Sequence, residues 1–351
     1  MAITLSALTD LAAMGFDDII DARAPAEFAE DHLPDAISLP VLNDAERARV
    51  GTIYKQVSPF DARKLGAALV AENVARHLQG PLAGKGGGWR PLVYCWRGGQ
   101  RSGSFALILS QVGWRVETLA GGYKAWRGLV VRALHEAPFP CKVVVLDGNT
   151  GSAKTELLNL LPARGMQVLD LEGMANHRGS LFGAMGVQPS QKAFEARLAM
   201  AMAALDPARP VVIEAESAKV GGLGLPTRLW QAMCRAPRLA LEVPRAARAG
   251  YLTRAYADVT TDPARLAATI DKLRPWHPKE RIEDWQAQAA AGAFAALADA
   301  LMLHHYDPRY ARHRARISVP VTPLEGDLSD LPALADRLAR ALTRIGASHE
   351  C

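Results

Sequence analysis

The stretch Tyr94-Cys-Trp-Arg-Gly-Gly-Gln-Arg-Ser-Gly-Ser104 holds one cysteine, two arginines, three glycines and two serines. Cys95 follows the apolar run PLVY and precedes the helical pattern SGSFALILSQVG. It is therefore expected at a strand end, beside a helix that starts near Ser102. Free amides and the helix dipole stabilise a thiolate in that position, and Arg97 and Arg101 add positive charge. The glycines let successive N–H groups turn inward around an anion. A cysteine so placed is a usable nucleophile at neutral pH. Simple burial at a strand end is the plain alternative; the RGGQRS that follows favours chemistry.

A second loop lies about fifty residues on. VVVLDGNTGSAKTELL reads as strand, glycine loop and helix. Gly148, Asn149, Thr150, Gly151, Ser152, Ala153, Lys154 and Thr155 form a Walker A pattern in which Ala153 replaces the usual glycine. The loop amides are expected to hold phosphate oxygens, Lys154 to add charge and Thr155 to be a candidate Mg²⁺ ligand. The Ala153 methyl is expected to crowd the phosphates. Glu214 and Glu216 end the apolar run PVVIE, where a metal-directed or basic carboxylate sits; glutamates facing solvent are the alternative. In LDLEGMANHRGSLFG, Asp170 and Glu172 are expected to end a strand. Asn176, His177, Arg178 and Ser180 then crowd a glycine-punctuated loop that suits a switch near the phosphates. A lone histidine is more often structural, but four polar types within five positions point to a site.

Two α/β series position these loops. Residues 1–134 alternate short strands (DDIIDAR, AISLP, PLVYC, RVETL) with helices (PAEFAEDH, DARKLGAALVAENVARHLQ, SGSFALILSQVG), the pattern of a parallel sheet. HEAPFP reads as a linker. A second domain, 135–351, has strands expected at 142–147, 166–170, 211–214 and 238–242, a mainly helical, Ala/Arg-rich region at about 244–306, one more strand in ARISVPVTPLEG and a closing helix. No internal repeat is visible.

The bulk numbers agree with a globular two-domain chain: 351 residues, 49% apolar, 22% charged. A net charge of +5 permits a polyanionic partner without requiring one. Cys95, Cys141, Cys234 and Cys351 form no CxxC pair, so no firm metal site and no disulfide framework is indicated, and a reducing compartment is expected. The N-terminal stretch lacks a basic region and carries early acids, so it does not read as a signal peptide. No apolar run approaches the roughly 20 residues of a membrane span. A cytoplasmic protein with no membrane partner is expected.

The cysteine loop, together with DIIDARAPAEF, DHLPDAISLP and LAGGYKAW, resembles a rhodanese domain. That resemblance implies a cysteine that carries sulfur or selenium, and an Asp21-x-Arg23 signature that braces the loop. Five residues separate Cys95 from Arg101, where sulfur-carrying rhodaneses have four; five is the spacing of related phosphatases, which cradle a phosphate. Selenophosphate or thiophosphate fits such a cradle. Adding GNTGSAKT, DLEGMANHRGSLFG, QPSQKAFE, IEAES, HYDPRY and ERARVGTIYKQVSP, nearly the whole chain is similar to the tRNA 2-selenouridine synthase family. The implied architecture is a rhodanese-like parallel-sheet domain followed by a P-loop NTPase-like α/β domain with a helical portion. The implied activity is a transferase acting on the wobble uridine of tRNA. It geranylates 2-thiouridine with geranyl diphosphate and then exchanges the geranylthio group for selenium from selenophosphate. Cys95 takes part in selenium delivery, a selenenylsulfide being one form it can carry. No tightly bound cofactor is expected, Mg²⁺ is a candidate, and a selenophosphate-producing enzyme is a candidate partner. Basic segments that interleave aromatics suit tRNA contact: RAARAGYLTRAY, KLRPWHPKERIEDW and, foremost, the segment with Arg309, Arg312, Arg314 and Arg316; each is alternatively a solvated face. The competing readings are a Cys-x5-Arg phosphatase fused to a P-loop kinase, and a nucleotide-gated binding protein with an inert rhodanese module.

Overall fold

A computed structural model describes residues 1–316 and 318–347. Cys351 lies outside them. The chain packs as two units, Met1–Ala137 with Pro189–Ala203, and Pro138–Gln188 with the chain from Ala204 onward.

In the first unit β1 (Ala2–Ile3), β2 (Asp18–Asp21), β3 (Ala36–Ser38), β4 (Pro91–Tyr94) and β5 (Glu117–Leu119) form a parallel sheet in the order β1-β5-β4-β2-β3. The chain leaves β2 toward one edge and β4 toward the other. The loops after these two strands therefore diverge and leave a crevice at their carboxyl ends, where ligands bind in such sheets. Helices Pro59–Gln79 and Gln100–Val112 bury Val70, Val74, Phe105 and Leu109 against Ile20 and Val93. Gly113 ends the second helix in the left-handed conformation (φ 108°). The helix Asp44–Gln56 was not among the elements read from sequence; a capping box between Asn43 and Glu46 starts it.

The helix Gln191–Ala203, which the sequence reading placed in the second domain, packs with the first unit. Arg127 pairs with the buried Glu195, and Lys192 pairs with Glu30 at 2.7 Å.

Beneath the cysteine loop, Asp21 (0% exposed) and Arg23 (1%) form a bidentate pair: Arg23 Nε and Nη2 donate to the carboxylate at 3.0 and 2.6 Å. The Tyr94 hydroxyl donates to the same carboxylate at 2.7 Å. The Arg23 guanidinium lies 4.0 Å from the centre of the Tyr123 ring, and the Tyr123 amide donates to the Cys95 carbonyl at 2.9 Å. The pair thus grips both the residue before Cys95 and the one hydrogen-bonded to it. Asp21→Ala should leave Arg23 buried and unpaired, at a cost of about 3–5 kcal/mol, read as a lower denaturant midpoint.

The second unit holds β6 (Val143–Gly148), β7 (Gln167–Leu169), β8 (Val211–Glu214), a small hairpin of β9 (Lys219–Val220) and β10 (Leu223–Gly224), β11 (Arg238–Glu242) and β12 (Val321–Glu325). The five longer strands form a parallel sheet in the order β12-β11-β6-β8-β7, with the phosphate-loop strand β6 central. Leu157 and Leu158 on one side of the loop helix and Leu334, Leu338 and Leu342 of helix Leu331–Ala347 share its core. The helices between Arg245 and Leu301 bury their own cluster, including Leu266, Ile270, Ile282, Trp285 and Leu297. β7 stops at Leu169. Asp170 caps the short helix Leu171–Ala175, and Glu172 lies within that helix; neither ends a strand as expected, because the Asp170 carboxylate takes the Gly173 amide and starts a helical turn. Among the described residues, no helix is long and apolar enough to cross a membrane.

Candidate active sites in the two units

Cys95 is buried (3% exposed) at the end of β4. The next helix starts at Gln100, two residues earlier than expected, so Arg101 and Ser102 lie in its first turn. The Ser102 hydroxyl donates to Cys95 Sγ at 3.1 Å, and the amides of Ser102 and Gly99 are also directed at the sulfur. Burial alone works to raise the thiol pKa. The Ser102 bonds, the Arg101 charge and the Gly99 amide outweigh it and hold the thiol below its ordinary value. Arg97 is exposed. Arg101 is half-buried and donates to Glu27 Oε2 at 2.8 Å, so it is oriented rather than free. Glu27 also meets Arg47 at 3.0 Å and the Ala24 amide at 3.1 Å.

Two glycines, Gly98 of the cysteine loop and Gly122 of LAGGYKAW, allow the loop and the turn to meet. A Cβ on Gly122 would lie 2.2 Å from the Cys95 carbonyl and 2.6 Å from the Gly98 amide; one on Gly98, whose φ is +66°, would lie 2.4 Å from the Leu119 carbonyl. The cysteine loop seats directly on that turn, which leaves no room for a side chain.

In the second unit, β6 runs into the phosphate loop. Lys154 Nζ folds back onto the Gly148 carbonyl at 2.7 Å, and Ser152 Oγ donates to the Asn149 carbonyl at 2.8 Å. Ala153 sits in the left-handed region (φ 57°), a position that favours glycine, and its methyl is buried. The loop is held from behind. Arg248 (4% exposed) donates to the Thr150 carbonyl at 3.1 Å and pairs with Asp307 at 2.7 Å. Asp307 accepts from Asn149 at 3.0 Å, and Thr150 reaches the Tyr310 hydroxyl at 3.4 Å. Asp147, buried at the base of the loop, accepts from the Gly148 amide and pairs with Arg238 at 3.3 Å and Arg314 at 3.4 Å. Burial works against its charge, and the two guanidinium groups hold it below the ordinary carboxylate range.

Beside Thr155 stands a carboxylate group. Thr155 Oγ1 donates to Glu172 at 2.7 Å, and the Glu172 amide donates to Glu214 at 2.7 Å. Burial and the Glu172 charge push Glu214 well above the ordinary carboxylate range and Glu216 up to about 8. Gly179 (φ +64°) lies against Glu216 and Glu172. Arg178 pairs with Asp258 at 2.9 Å, and Ser180 bonds the Tyr256 hydroxyl at 3.0 Å. His177 Nδ1 takes the Gly179 amide, and burial depresses its pKa. Asn176, in the left-handed region, donates to the Val187 carbonyl, outside the cleft lining. Residues 150–155, Asp170, Glu172, Arg178, Ser180 and Glu216 line one cleft of about 640 Å³ with Tyr310, Arg309 and Arg238.

The arginines proposed for tRNA separate. Arg314 is committed to Asp147 and stacks on Tyr310 at 5.9 Å. Arg309 stacks on Trp276 at 5.1 Å and contacts His305 at 3.3 Å. Arg312 and Arg316 are exposed. In RAARAGYLTRAY, Arg248 serves the phosphate loop and Arg245 pairs with Asp299 at 2.6 Å. Asp147, Glu27, Ser102, Arg248 and Asp307 were not singled out from sequence. Two of them carried a signal: a charge closing the apolar run VVVLD, and a serine directly after the loop arginine.

The comparisons follow this division. A family model described as "tRNA 2-selenouridine synthase AAA domain" matches residues 141–337, and a "Rhodanese-like domain" model matches residues 4–129. The chain belongs to the tRNA 2-selenouridine synthase family. It has the family's rhodanese-like N-terminal and P-loop α/β C-terminal domains. Relatives named tRNA 2-selenouridine synthase include those of Aeromonas salmonicida (strain A449), 41% identical over 71% of this chain and 67% of the relative, and Pseudomonas syringae pv. tomato, 41% over 67% and 64%. The relative of Chromohalobacter salexigens is 33% identical over 93% of this chain and 96% of its own length.

Ser102→Ala removes the hydroxyl that the sulfur accepts from. The pH midpoint of Cys95 alkylation should rise, with the rate near pH 7 falling about tenfold per unit of rise and the rate at high pH unchanged. An unchanged midpoint would leave Ser102 without a part in activating the thiol.

Proposed function

We propose that this chain is a cytoplasmic transferase that converts 2-thiouridine to 2-selenouridine at the tRNA wobble position, with selenophosphate as selenium donor. We further propose that it works through an S-geranylated intermediate made from geranyl diphosphate. One observation supports the second point most directly. An apolar crevice lined by Phe182, Leu252, Val259, Leu266, Leu297 and Leu301 adjoins the phosphate cleft, sharing Thr150, Ser180, Tyr256 and Tyr306 with it. A polar sugar placed in that crevice would meet a mostly apolar lining. A diphosphate with a hydrocarbon tail satisfies both surfaces.

On this reading the thiouridine sulfur attacks the first carbon of the geranyl chain, the carbon–oxygen bond breaks, and diphosphate leaves. The loop amides and Lys154 stabilise the charge that develops on it. Alkylation makes the sulfur a neutral thiol leaving group. A selenium nucleophile then adds to the same ring carbon and geranylthiol departs. Cys95 mobilises that selenium, so a selenophosphate-producing enzyme is the partner this chemistry calls for.

The residues beside Thr155 fit Mg²⁺. Crowded carboxyls that burial holds partly protonated, with Glu214 Oε2 making no hydrogen bond, are short of positive charge. Among the described residues no three such side chains form a ligand set, so diphosphate oxygens with Thr155 and one carboxylate would hold the ion. When bound, it would neutralise the leaving diphosphate.

Lys154→Ala should abolish geranylation, while pre-geranylated tRNA is still selenated at close to the normal rate. Equal loss on both substrates, followed by nucleoside mass spectrometry, would count against the phosphate loop as the geranyl diphosphate site.

With Arg314 committed inside the unit, Arg312 and Arg316 are the exposed members of the basic segment. Replacing both with alanine should flatten the salt dependence of tRNA affinity by roughly 1.4–1.8 units, since each phosphate contact contributes about 0.7–0.9. An unchanged slope would place both on an ordinary solvated face.

A further inference from the structure

The selenium role of Cys95 leaves open which atom of selenophosphate its thiolate attacks. Attack on selenium would form a sulfur–selenium bond and expel phosphorus as phosphite. Phosphorus would fall from the +5 to the +3 state, and the selenium would need a reductant before entering tRNA, where it has the same oxidation level as in selenophosphate. Neither the structure nor the proposed activity supplies that reductant. Attack on phosphorus needs none.

The loop is arranged for the second course. Five residues separate Cys95 from Arg101, and Ser102 follows directly, donating to the sulfur at 3.1 Å. Glu27 holds one arm of the Arg101 guanidinium at 2.8 Å, leaving Nε and Nη2 without a partner among the described residues. A planar guanidinium oriented by a carboxylate, next to inward-facing amides, is a receptor for tetrahedral oxyanions. The Cys95 sulfur lies buried beside these groups, taking the Ser102 hydroxyl and facing the Ser102 and Gly99 amides.

A phosphatase acting on an alcohol ester needs a general acid for the leaving oxygen. Glu27, the carboxylate that Arg101 touches, cannot serve. Burial works to raise its pKa, but Arg101, the Ala24 amide and Arg47 together keep it ionised, below its ordinary value. Hydrogen selenide is a much stronger acid than an alcohol and leaves as the anion unaided. The carboxylate that touches Arg101 is thus no general acid for alkyl phosphate hydrolysis, and selenophosphate cleavage requires none.

We propose that Cys95 is phosphorylated by selenophosphate: the thiolate attacks phosphorus, the sulfur–phosphorus bond forms, the phosphorus–selenium bond breaks, and hydrogen selenide anion is released for the ring carbon of the modified uridine. Water then cleaves the sulfur–phosphorus bond, giving inorganic phosphate and the free thiolate. Selenium stays at the −2 level and phosphorus at +5 throughout. This inference rests on the selenium-transfer reading and assigns Cys95 the task of releasing selenide, not carrying it.

The full-length protein with selenophosphate and pre-geranylated tRNA, followed by ³¹P NMR and intact-protein mass spectrometry, provides the test. Phosphate should appear one for one with 2-selenouridine, and a rapid quench should trap a phosphoryl adduct on Cys95. Arg101→Lys should slow adduct formation about 100-fold, the effect of removing an oriented anion donor. Cys95→Ser should fail with selenophosphate but recover selenation, above a protein-free control, when hydrogen selenide is supplied. Phosphite, a selenium adduct on Cys95, phosphate without any phosphoryl adduct, or no recovery with hydrogen selenide would each overturn the proposal. If the unaltered protein makes no 2-selenouridine from either selenium source, the functional reading itself fails, a result distinct from all of these.

Discussion

A buried aspartate–arginine pair sits under each of the two anion loops, and the rest of both sites depends on these pairs. Under the cysteine loop, Asp21 and Arg23 are essentially inaccessible and collect Tyr94 and Tyr123 around them. Under the phosphate loop, Asp147 holds the Gly148 amide while Arg238 of β11 and Arg314 of the helix Asp307–Arg314 pair with it. Such pairs contribute little net stability, because desolvation offsets most of their attraction. Their geometry is demanding, however, and a loop that must present amides to an anion needs a fixed base. Removing either partner strands a charge in the interior, so the loops cannot relax into collapsed alternatives without large cost.

The helical region of the second unit serves the same end. It contributes Arg248 to the back of the phosphate loop, where Asp307 and Tyr310 of the following helix Asp307–Arg314 join it, and an apolar crevice to the loop's side. Ala153 shows how tightly the loop is specified. A left-handed backbone on a residue with a Cβ is disfavoured by about 1–2 kcal/mol, and Ala153 adopts it between the hydrogen-bonded loop and the helix that starts at Lys154.

Much of this was legible in the sequence. The strands before Cys95 and Gly148 are short apolar runs with a glycine loop and a helix after them, a pattern with few structural solutions. The family architecture followed from motifs in order. What was not legible depends on distant partners. Arg314 looks like one more arginine in a basic segment, and only the folded chain brings it to Asp147, 167 residues away. Glu172 falls in a stretch whose polarity fits a strand end or a helix start equally well, and the Asp170 cap decides it. Helix Gln191–Ala203 has mixed polarity all round, so nothing in its periodicity says which unit it covers; Arg127 and Glu195 do.

That helix bears on how the protein is made. The first unit is not finished at Ala137. It waits for residues 189–203, and by then the ribosome has already produced the phosphate-loop strand, its helix and the carboxylate turn after it. The first unit therefore cannot complete its packing before part of the second has emerged. Arg127 stays without Glu195 through more than sixty residues of synthesis, and the two halves are interleaved in time as they are in sequence.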